Sequence, residues 1–165
     1  MNILGIDPGQ TGGWAVIGAT GKLIRSGDAP FIAGKWDICE VDSILDSLDG
    51  TTTKAIIEDV GGIPGQSASA AFSFGFGVGL WHMAIVNNGL SLETVRPQEW
   101  QKQYVTAKEV KSLTKPQKKK RYIIEAEQRW PGFKFTSGTA DAALIAEWYR
   151  LKGALLIAEY GRRRG

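Results

Sequence analysis

Three acidic residues in this sequence lie where a predicted strand ends or a predicted helix begins. Catalytic side chains are often found at such positions. Asp7 ends a short apolar run before Pro8 and Gly9, Glu58 lies at the end of a second apolar run, and Asp141 lies near the start of a late helical pattern. Taken alone, Asp7 could be an ordinary turn acid and Asp141 a simple helix cap. As a group, the acids would repel one another unless a cation offset their charge. The set therefore predicts a site for Mg²⁺ or Mn²⁺, which prefer hard oxygen ligands.

A cationic segment follows the predicted sheet and suggests what such a metal site would act on. Between residues 102 and 121 the only acid is Glu109, against eight cations. These are Lys102, Lys108, Lys111, Lys115, Lys118, Lys119, Lys120 and Arg121. A charge run of this kind is often only a solvated surface. A pair of metal ions can hold the attacking and leaving oxygens of a phosphoryl displacement. A cationic segment beside such a pair indicates phosphodiester hydrolysis, with the cations binding DNA phosphates.

The elements that must hold these side chains follow from the spacing of apolar residues. Three strands form a meander, a helix crosses over, and two more strands and three helices follow. The predicted strands are 2–7, 12–18, 22–27, 54–60 and 92–95, and the main predicted helices are 42–48, 67–87, 114–130 and one that begins near 137. Ile56 and Glu58 share a strand face, and Asp141 shares a helix stripe with Leu144 and Ile145. Each acid is therefore expected on a covered face.

The helix predicted at 67–87 carries small residues at one-turn spacing. Gly75 and Gly79 would let another helix approach closely, with Phe72 and Phe76 beside them. This pattern suits either a helix packed on its own sheet or a dimer interface. His82, the only histidine of the chain, lies among apolar neighbours here and is expected to be a packed side chain rather than a catalyst.

The three acids and their neighbours resemble a known family. Residues 5–9 (GIDPG), 57–58 (IE, before a Gly-Gln-Ser-Ala loop) and 140–146 (ADAALIA) resemble, in order, the motifs of the RuvC family of Holliday junction resolvases, in its phage-like branch. The resemblance covers nearly the whole chain. It implies one ribonuclease H-like nuclease domain over residues 1–165, of the α/β class: a five-stranded mixed sheet, three antiparallel strands and then two parallel ones, flanked by helices.

The resemblance also implies an activity and its partners. A homodimer would cut two strands of a branched DNA, the four-way junction, symmetrically, with two Mg²⁺ or Mn²⁺ ions in each active site. Asp7, Glu58 and Asp141 would be the metal ligands. Lys102 and Lys115 resemble basic positions that the family uses against scissile phosphates, Lys115 as a catalytic residue.

Aromatic and small residues of the 67–87 helix also fall in a region that the family uses. Phe72, Phe74 and Phe76 lie where the family places residues at the dimer surface and the junction centre. We expect Phe72 and Phe74 to contact DNA, and we expect Gly75, Phe76 and Gly79 to form the dimer interface.

One position departs from the family pattern. The family carries a fourth acid or a histidine three or four residues before its last Asp, and this chain has Gly138 and Ser137 there. Either the second metal has fewer protein ligands, or the chain is an inactivated version.

Rival functions remain open on the sequence alone. An actin-like ATPase or sugar kinase also begins with a strand, an Asp and a glycine-rich hairpin, but such proteins need two copies of the unit, and the chain has room for one. A junction-binding protein without activity is a second rival, and a nuclease for flaps or other branches a third. With one cysteine, Cys39, and no apolar run expected to reach membrane-spanning length, we expect no membrane partner and a location in the cytoplasm of a bacterial cell or phage-infected host.

Overall fold

The computed structural model describes residues 1–61, 65–106, 109 and 112–162, with side chains up to residue 153. A five-stranded sheet forms its centre, in the order β3-β2-β1-β6-β7. Its strands are β1 (Asn2–Asp7), β2 (Gly13–Ile17), β3 (Leu23–Asp28), β6 (Thr53–Glu58) and β7 (Ser91–Val95). The first three pair antiparallel, and β6 and β7 extend the sheet in parallel from β1. The predicted mixed sheet is confirmed.

Helices cover both faces of this sheet. They are α1 (Ile38–Asp46), α2 (Ala68–Asn87), α3 (Pro97–Gln101), α4 (Lys115–Arg129) and α5 (Ser137–Arg162). One core cluster joins the sheet to α3, α4 and α5, and a second joins the opposite face to α1 and α2. Successive residues of β1 alternate between the clusters, with Ile3 in the first and Leu4 in the second. Asp7 therefore belongs to the face that α5 covers.

The long helix α5 lies unusually close to β1. A Cβ atom added at Gly5 would come 2.1 Å from the backbone oxygen of Ala142 and 3.0 Å from the Cβ of Ala146. Only glycine on the strand, opposite alanine on the helix, allows this approach. The contact fixes the height of α5 over the sheet, and with it the position of Asp141.

Three local features differ from the sequence prediction. The helix predicted at 42–48 begins earlier, at Ile38, because Asp37 caps it by accepting a hydrogen bond from the Glu40 backbone nitrogen at 3.0 Å. A short hairpin of β4 (Phe31–Ile32) and β5 (Lys35–Trp36) precedes it and was not predicted. The strand predicted at 54–60 spans Thr53–Glu58, so Glu58 is its last residue.

The helix α2 is apolar on two sides. Trp81 and Ile85 are fully buried in the core, whereas Phe72, Met83 and Val86 are exposed. By length and composition α2 could cross a membrane, so the expectation that no apolar run reaches that length is wrong. One face of α2 packs on the sheet, and 22% of its apolar stretch is buried.

Candidate active site

Parallel pairing brings two of the acids together at one edge of the sheet. Ile6 of β1 stands opposite Ile57 of β6, so the next residues, Asp7 and Glu58, end neighbouring strands at the same edge. Asp141 lies in the second turn of α5, which covers this face. The three side chains line a single open cavity of about 380 Å³. The structure thus places the three predicted acids around one cavity, and their role as a site remains a prediction.

The turn after β1 holds Asp7 in place. The Gly9 backbone nitrogen donates a hydrogen bond to Asp7 Oδ1 at 3.1 Å. A Cβ atom at Gly12 would lie 2.2 Å from the Asp7 backbone oxygen, so the chain can fold back here only with glycine. Burial raises the pKa of Asp7, and the hydrogen bond from Gly9 and the charge of Lys119 partly oppose this effect.

Glu58 is held by an indole. The Trp100 Nε1 group donates a hydrogen bond to Glu58 Oε1 at 2.7 Å. Burial and the nearby charge of Asp7 raise the pKa of Glu58 to about 7, while the Trp100 hydrogen bond and Lys119 act in the opposite direction. Near neutral pH this carboxyl group is therefore poised between its two protonation states unless a cation stabilises the charged form.

Asp141 has an oxygen without a protein partner. Its Oδ1 atom is buried and accepts no hydrogen bond from any described residue. Burial, followed by the charge of Asp7, raises the pKa of Asp141 well above its usual range. A buried carboxylate oxygen without a donor is costly unless something positive binds it.

The ligand types in this cavity are those that a hard divalent cation prefers. The site offers three carboxylates, one with an oxygen that lacks a donor, in a cavity open enough for water. In the described part of the chain, no group of three or more His, Cys, Asp or Glu side chains is arranged so that all of them could hold one metal ion. A bound ion would therefore keep several water ligands, as Mg²⁺ usually does in proteins.

Two lysines share the cavity with the acids. Both Lys115 and Lys119 line it, one helical turn apart on α4. Lys119 lowers the pKa of all three carboxyl groups, so its charge reaches the whole site. From the sequence, Lys115 was predicted as a catalytic residue and Lys119 only as one of the DNA-binding cations. The roles of both remain predictions.

The other predicted DNA-binding residues are spread around the site. Phe74 lines the acid cavity, and Phe72, which is 75% exposed, lines a neighbouring cavity with Trp36. Lys102 and Lys120 are exposed and Lys118 is half-buried, all three outside the cavity lining. Lys108 and Lys111 lie outside the described residues. Arg121 forms ion pairs with Glu125 at 2.9 Å and Glu109 at 3.6 Å.

Several polar residues of the cavity were not predicted from the sequence. Gln10, Thr11, Gln66 and Gln101 line it beside the acids. Gln10 Nε2 donates to Ser73 Oγ at 2.6 Å, which ties the turn after β1 to α2. Gln10 and Thr11 directly follow the Asp7-Pro8-Gly9 turn, and this position next to Asp7 is the sequence feature that could have predicted them as cavity residues.

The absence of a fourth acid or histidine at Gly138 has a steric cause. A Cβ atom there would lie 2.1 Å from the backbone oxygen of Gly12, so no acid or histidine fits without moving the backbone. Ser137, the other candidate position, instead accepts a hydrogen bond from Lys119 Nζ at 3.3 Å.

The predicted dimer residues lie on the outer face of α2. Gly75 and Gly79 are exposed, and a Cβ atom at either would meet nothing within 4 Å in the described protomer. Phe76 on the same face is 45% exposed. This face is free for another molecule, and its use as a dimer interface remains a prediction.

Comparison with known proteins identifies the fold. No protein-family model and no curated protein matches the chain. A solved structure of Thermus thermophilus RuvC in complex with a Holliday junction substrate matches with a TM-score of 0.67 and 17% identity, over 93% of this chain and 96% of that one. A second structure of Thermus thermophilus RuvC matches with a TM-score of 0.65 and 18% identity, over 93% and 97%. The chain therefore has the fold of RuvC, as its sequence motifs implied.

Proposed function

We propose that this protein is a metal-dependent endonuclease that resolves four-way DNA junctions. The observation that carries the proposal is the joint placement of three carboxylates and two lysines around one open cavity at the sheet edge. Its support is the likeness in fold to RuvC, one structure of which holds a Holliday junction substrate. Fold alone does not assign an activity, so the side chains of the cavity decide the proposal.

Asp7, Glu58 and Asp141 are the residues that would hold Mg²⁺ or Mn²⁺, two ions in each site. Such ions, when bound, supply electrophilic activation of a phosphodiester and stabilise its leaving oxygen. The protein's own part is to keep the three carboxylates in place through the Gly9, Trp100 and α5 contacts described above. Pre-set ligands need no rearrangement when the substrate arrives.

Lys115 and Lys119 would act on the phosphate itself. Both lysines line the same cavity as the acids, so a phosphate bound there would lie within reach of both side chains. Charge builds up on the phosphate oxygens during displacement, and a fixed cation beside them stabilises the transition state more than the ground state.

The surrounding cations would bind the DNA arms. Lys102, Lys118 and Lys120 lie outside the cavity and can neutralise phosphates further along the backbone, together with Lys108 and Lys111. Arg121 is expected to contribute less because its guanidinium is already paired with two glutamates. The exposed Phe72 and the cavity residue Phe74 would contact bases at the branch point.

The proposal includes a homodimer and paired cutting. A four-way junction has approximate two-fold symmetry, so two symmetric incisions require two active sites related by a matching axis. The exposed face of α2, with Gly75, Phe76 and Gly79, would form the interface. We further propose that residues 1–165 act as one nuclease domain, in the cytoplasm of a bacterial or phage-infected cell.

A second candidate function follows from Gly138. Because the structure leaves no room for a fourth ligand there, a junction-binding protein without cleavage activity is the main rival. A nuclease that prefers flaps to four-way junctions is a further alternative.

One experiment separates these functions. Purified protein is incubated with labelled four-way, Y-shaped and linear duplex DNA, with Mg²⁺, Mn²⁺ or EDTA, and cuts are mapped on every strand. We expect symmetric cuts on the four-way junction, with either metal and not with EDTA. Binding to the junction without cleavage would support the degenerate protein, and faster cutting of Y-shaped DNA would support a flap nuclease. Equal binding to all three DNAs would contradict a branched-DNA function.

A further inference from the structure

A buried tryptophan touches one of the candidate metal ligands. Trp100 is 0% exposed, and its Nε1 donates to Glu58 Oε1 at 2.7 Å, within the range of a strong hydrogen bond to a carboxylate. Trp100 does not line the cavity itself. Among the described residues, its side-chain hydrogen bond to the site is the one to Glu58.

Aromatic neighbours fix the orientation of the indole. The ring of Tyr122 on α4 lies 5.1 Å from it, centroid to centroid, and that of Tyr104 lies 6.3 Å away. Both tyrosines are buried, in the same core cluster as Trp100. The position of Trp100 in the chain is set by α3, which begins at Pro97 directly after β7. An indole held on several sides cannot follow a moving carboxylate, so Glu58 must adapt to it.

This contact restricts how Glu58 can turn. With Oε1 tied to the indole, rotation of the carboxylate would break the hydrogen bond and leave a buried N–H group without an acceptor, which is unfavourable. Glu58 thus presents a constant face to the cavity that it shares with Asp7 and Asp141.

We propose that Trp100 is a positioning residue of the metal site, which sets the affinity of the site for divalent cations through Glu58. The inference rests on the proposed metal-dependent function. Hydrogen-bond partners behind metal ligands orient those ligands, and their loss typically lowers metal affinity about 10–100-fold.

The chain supplies a matched control in a second tryptophan. Trp81 is also 0% exposed, but its Nε1 has no hydrogen-bond partner among the described residues, and it lies in the core cluster on the opposite face of the sheet. Replacing either tryptophan with Phe removes the same number of buried atoms. Only Trp100→Phe also removes a hydrogen bond to a candidate ligand.

The test measures Mn²⁺ binding by electron paramagnetic resonance, without DNA, for wild type, Trp100→Phe and Trp81→Phe. We expect binding to weaken about 10–100-fold in Trp100→Phe and by less than about threefold in Trp81→Phe. Cleavage by Trp100→Phe should recover as Mg²⁺ is raised, since its defect is one of affinity. Equal affinity in wild type and Trp100→Phe, or equal losses in the two variants, would overturn the inference. Absence of Mn²⁺ binding in wild type would instead overturn the proposed function.

A second measurement covers the case in which Trp100→Phe does not fold. In wild-type protein with ¹⁵N-labelled tryptophan, the Trp100 indole N–H signal, assigned by substituting the other five tryptophans, should shift as Mg²⁺ is added. The Trp81 signal should not shift. An unmoved Trp100 signal at saturating Mg²⁺ would contradict the proposal.

Discussion

Lys119 Nζ donates a hydrogen bond to the Ser137 hydroxyl oxygen at 3.3 Å, and this contact joins the cationic helix α4 to the first residue of α5. The ammonium group is thereby placed at the edge of the acid cavity rather than free in solvent. Its charge opposes the rise in the pKa values of Asp7, Glu58 and Asp141 that burial causes. Lys119 is thus part of the candidate site, whereas its neighbour Lys120 is exposed and outside it.

Lys119→Gln should lower the single-turnover cleavage rate about 10–100-fold, because the substitution removes a fixed cation beside the phosphate. Junction affinity should change by less than about threefold, since only one phosphate contact is involved. The exposed Lys120→Gln is the matched control, with little change in rate. If both variants cut at the wild-type rate, Lys119 belongs to the surface cations and not to the site.

Asp7→Asn should abolish cleavage and leave junction binding nearly unchanged, because it removes one candidate metal ligand without adding bulk. Cleavage is followed by gel and binding by mobility shift in Ca²⁺ or EDTA. The exposed Asp46→Asn on α1 serves as the control and should cut normally. A parallel loss of binding and cleavage would mean that Asp7 supports the fold rather than the chemistry.

The stability of the metal-free protein should fall as pH rises from 5 to 8. The pKa of Glu58 is about 7 in the folded protein and near 4.5 when unfolded, so the folded state holds this proton more tightly. Its contribution is full below pH 4.5 and is lost as pH passes 7, which amounts to on the order of 2 kcal/mol. Asp7 and Asp141, with raised pKa values, act in the same direction.

Thermal unfolding in EDTA checks this prediction. Mg²⁺ should raise the melting temperature strongly at pH 8 and weakly at pH 5, since it replaces the protons that the carboxylates have released. Glu58→Gln should flatten the pH dependence. A melting temperature that is constant from pH 5 to 8 in EDTA would show that the three acids are well solvated.

Gly79→Leu should shift the protein from dimer to monomer. A side chain at this position meets nothing within 4 Å in the protomer, so the fold itself should tolerate it, and any effect arises in the interface. Sedimentation velocity measures the shift, and unfolding temperature controls for the fold. Junctions should then be nicked singly rather than cut in pairs. Paired cutting by a protein that sediments as a monomer would contradict the α2 interface.

Lys118→Ala together with Lys120→Ala should weaken junction binding and reduce its salt dependence. Removal of one lysine–phosphate interaction lowers the slope of log affinity against log salt by about 0.9. Fluorescence anisotropy from 50 to 300 mM NaCl gives the slope. The salt slope is the deciding measurement. A slope equal to that of wild type would show that these lysines are solvated surface residues that do not contact phosphates.

The sheet and its acids could be predicted from the sequence because their signals are local. Asp7 and Glu58 each end an apolar run, and apolar periodicity placed Asp141 on the covered side of its helix. The hairpin of β4 and β5 could not be predicted, since strands of two residues have no measurable period. The capping pair Asp37 and Glu40 marks the early start of α1 in the sequence. The exposed Ile38 interrupts the apolar periodicity there, so the pattern of apolar residues alone does not show that start.

Contacts between distant segments account for what the sequence did not show. Glu58 and Trp100 are 42 residues apart, and nothing local marks their hydrogen bond. Lys115 and Lys119 are one turn apart on the same helix, so helical periodicity places both on the same face. Periodicity therefore cannot predict which of the two has the closer contact with the candidate site. Only the position of Ser137, at the start of another helix, distinguishes Lys119.

The contact between Gly12 and Gly138 also limits which sequences this fold can reach by single changes. An acid introduced at residue 138 would strike the backbone of the turn that carries Asp7, and it would push apart the elements that bring the carboxylates together. A fourth ligand at residue 138 could arise only after the turn at Gly12 had changed its path, so at this position the order of mutations, and not only their chemistry, constrains how the site can evolve.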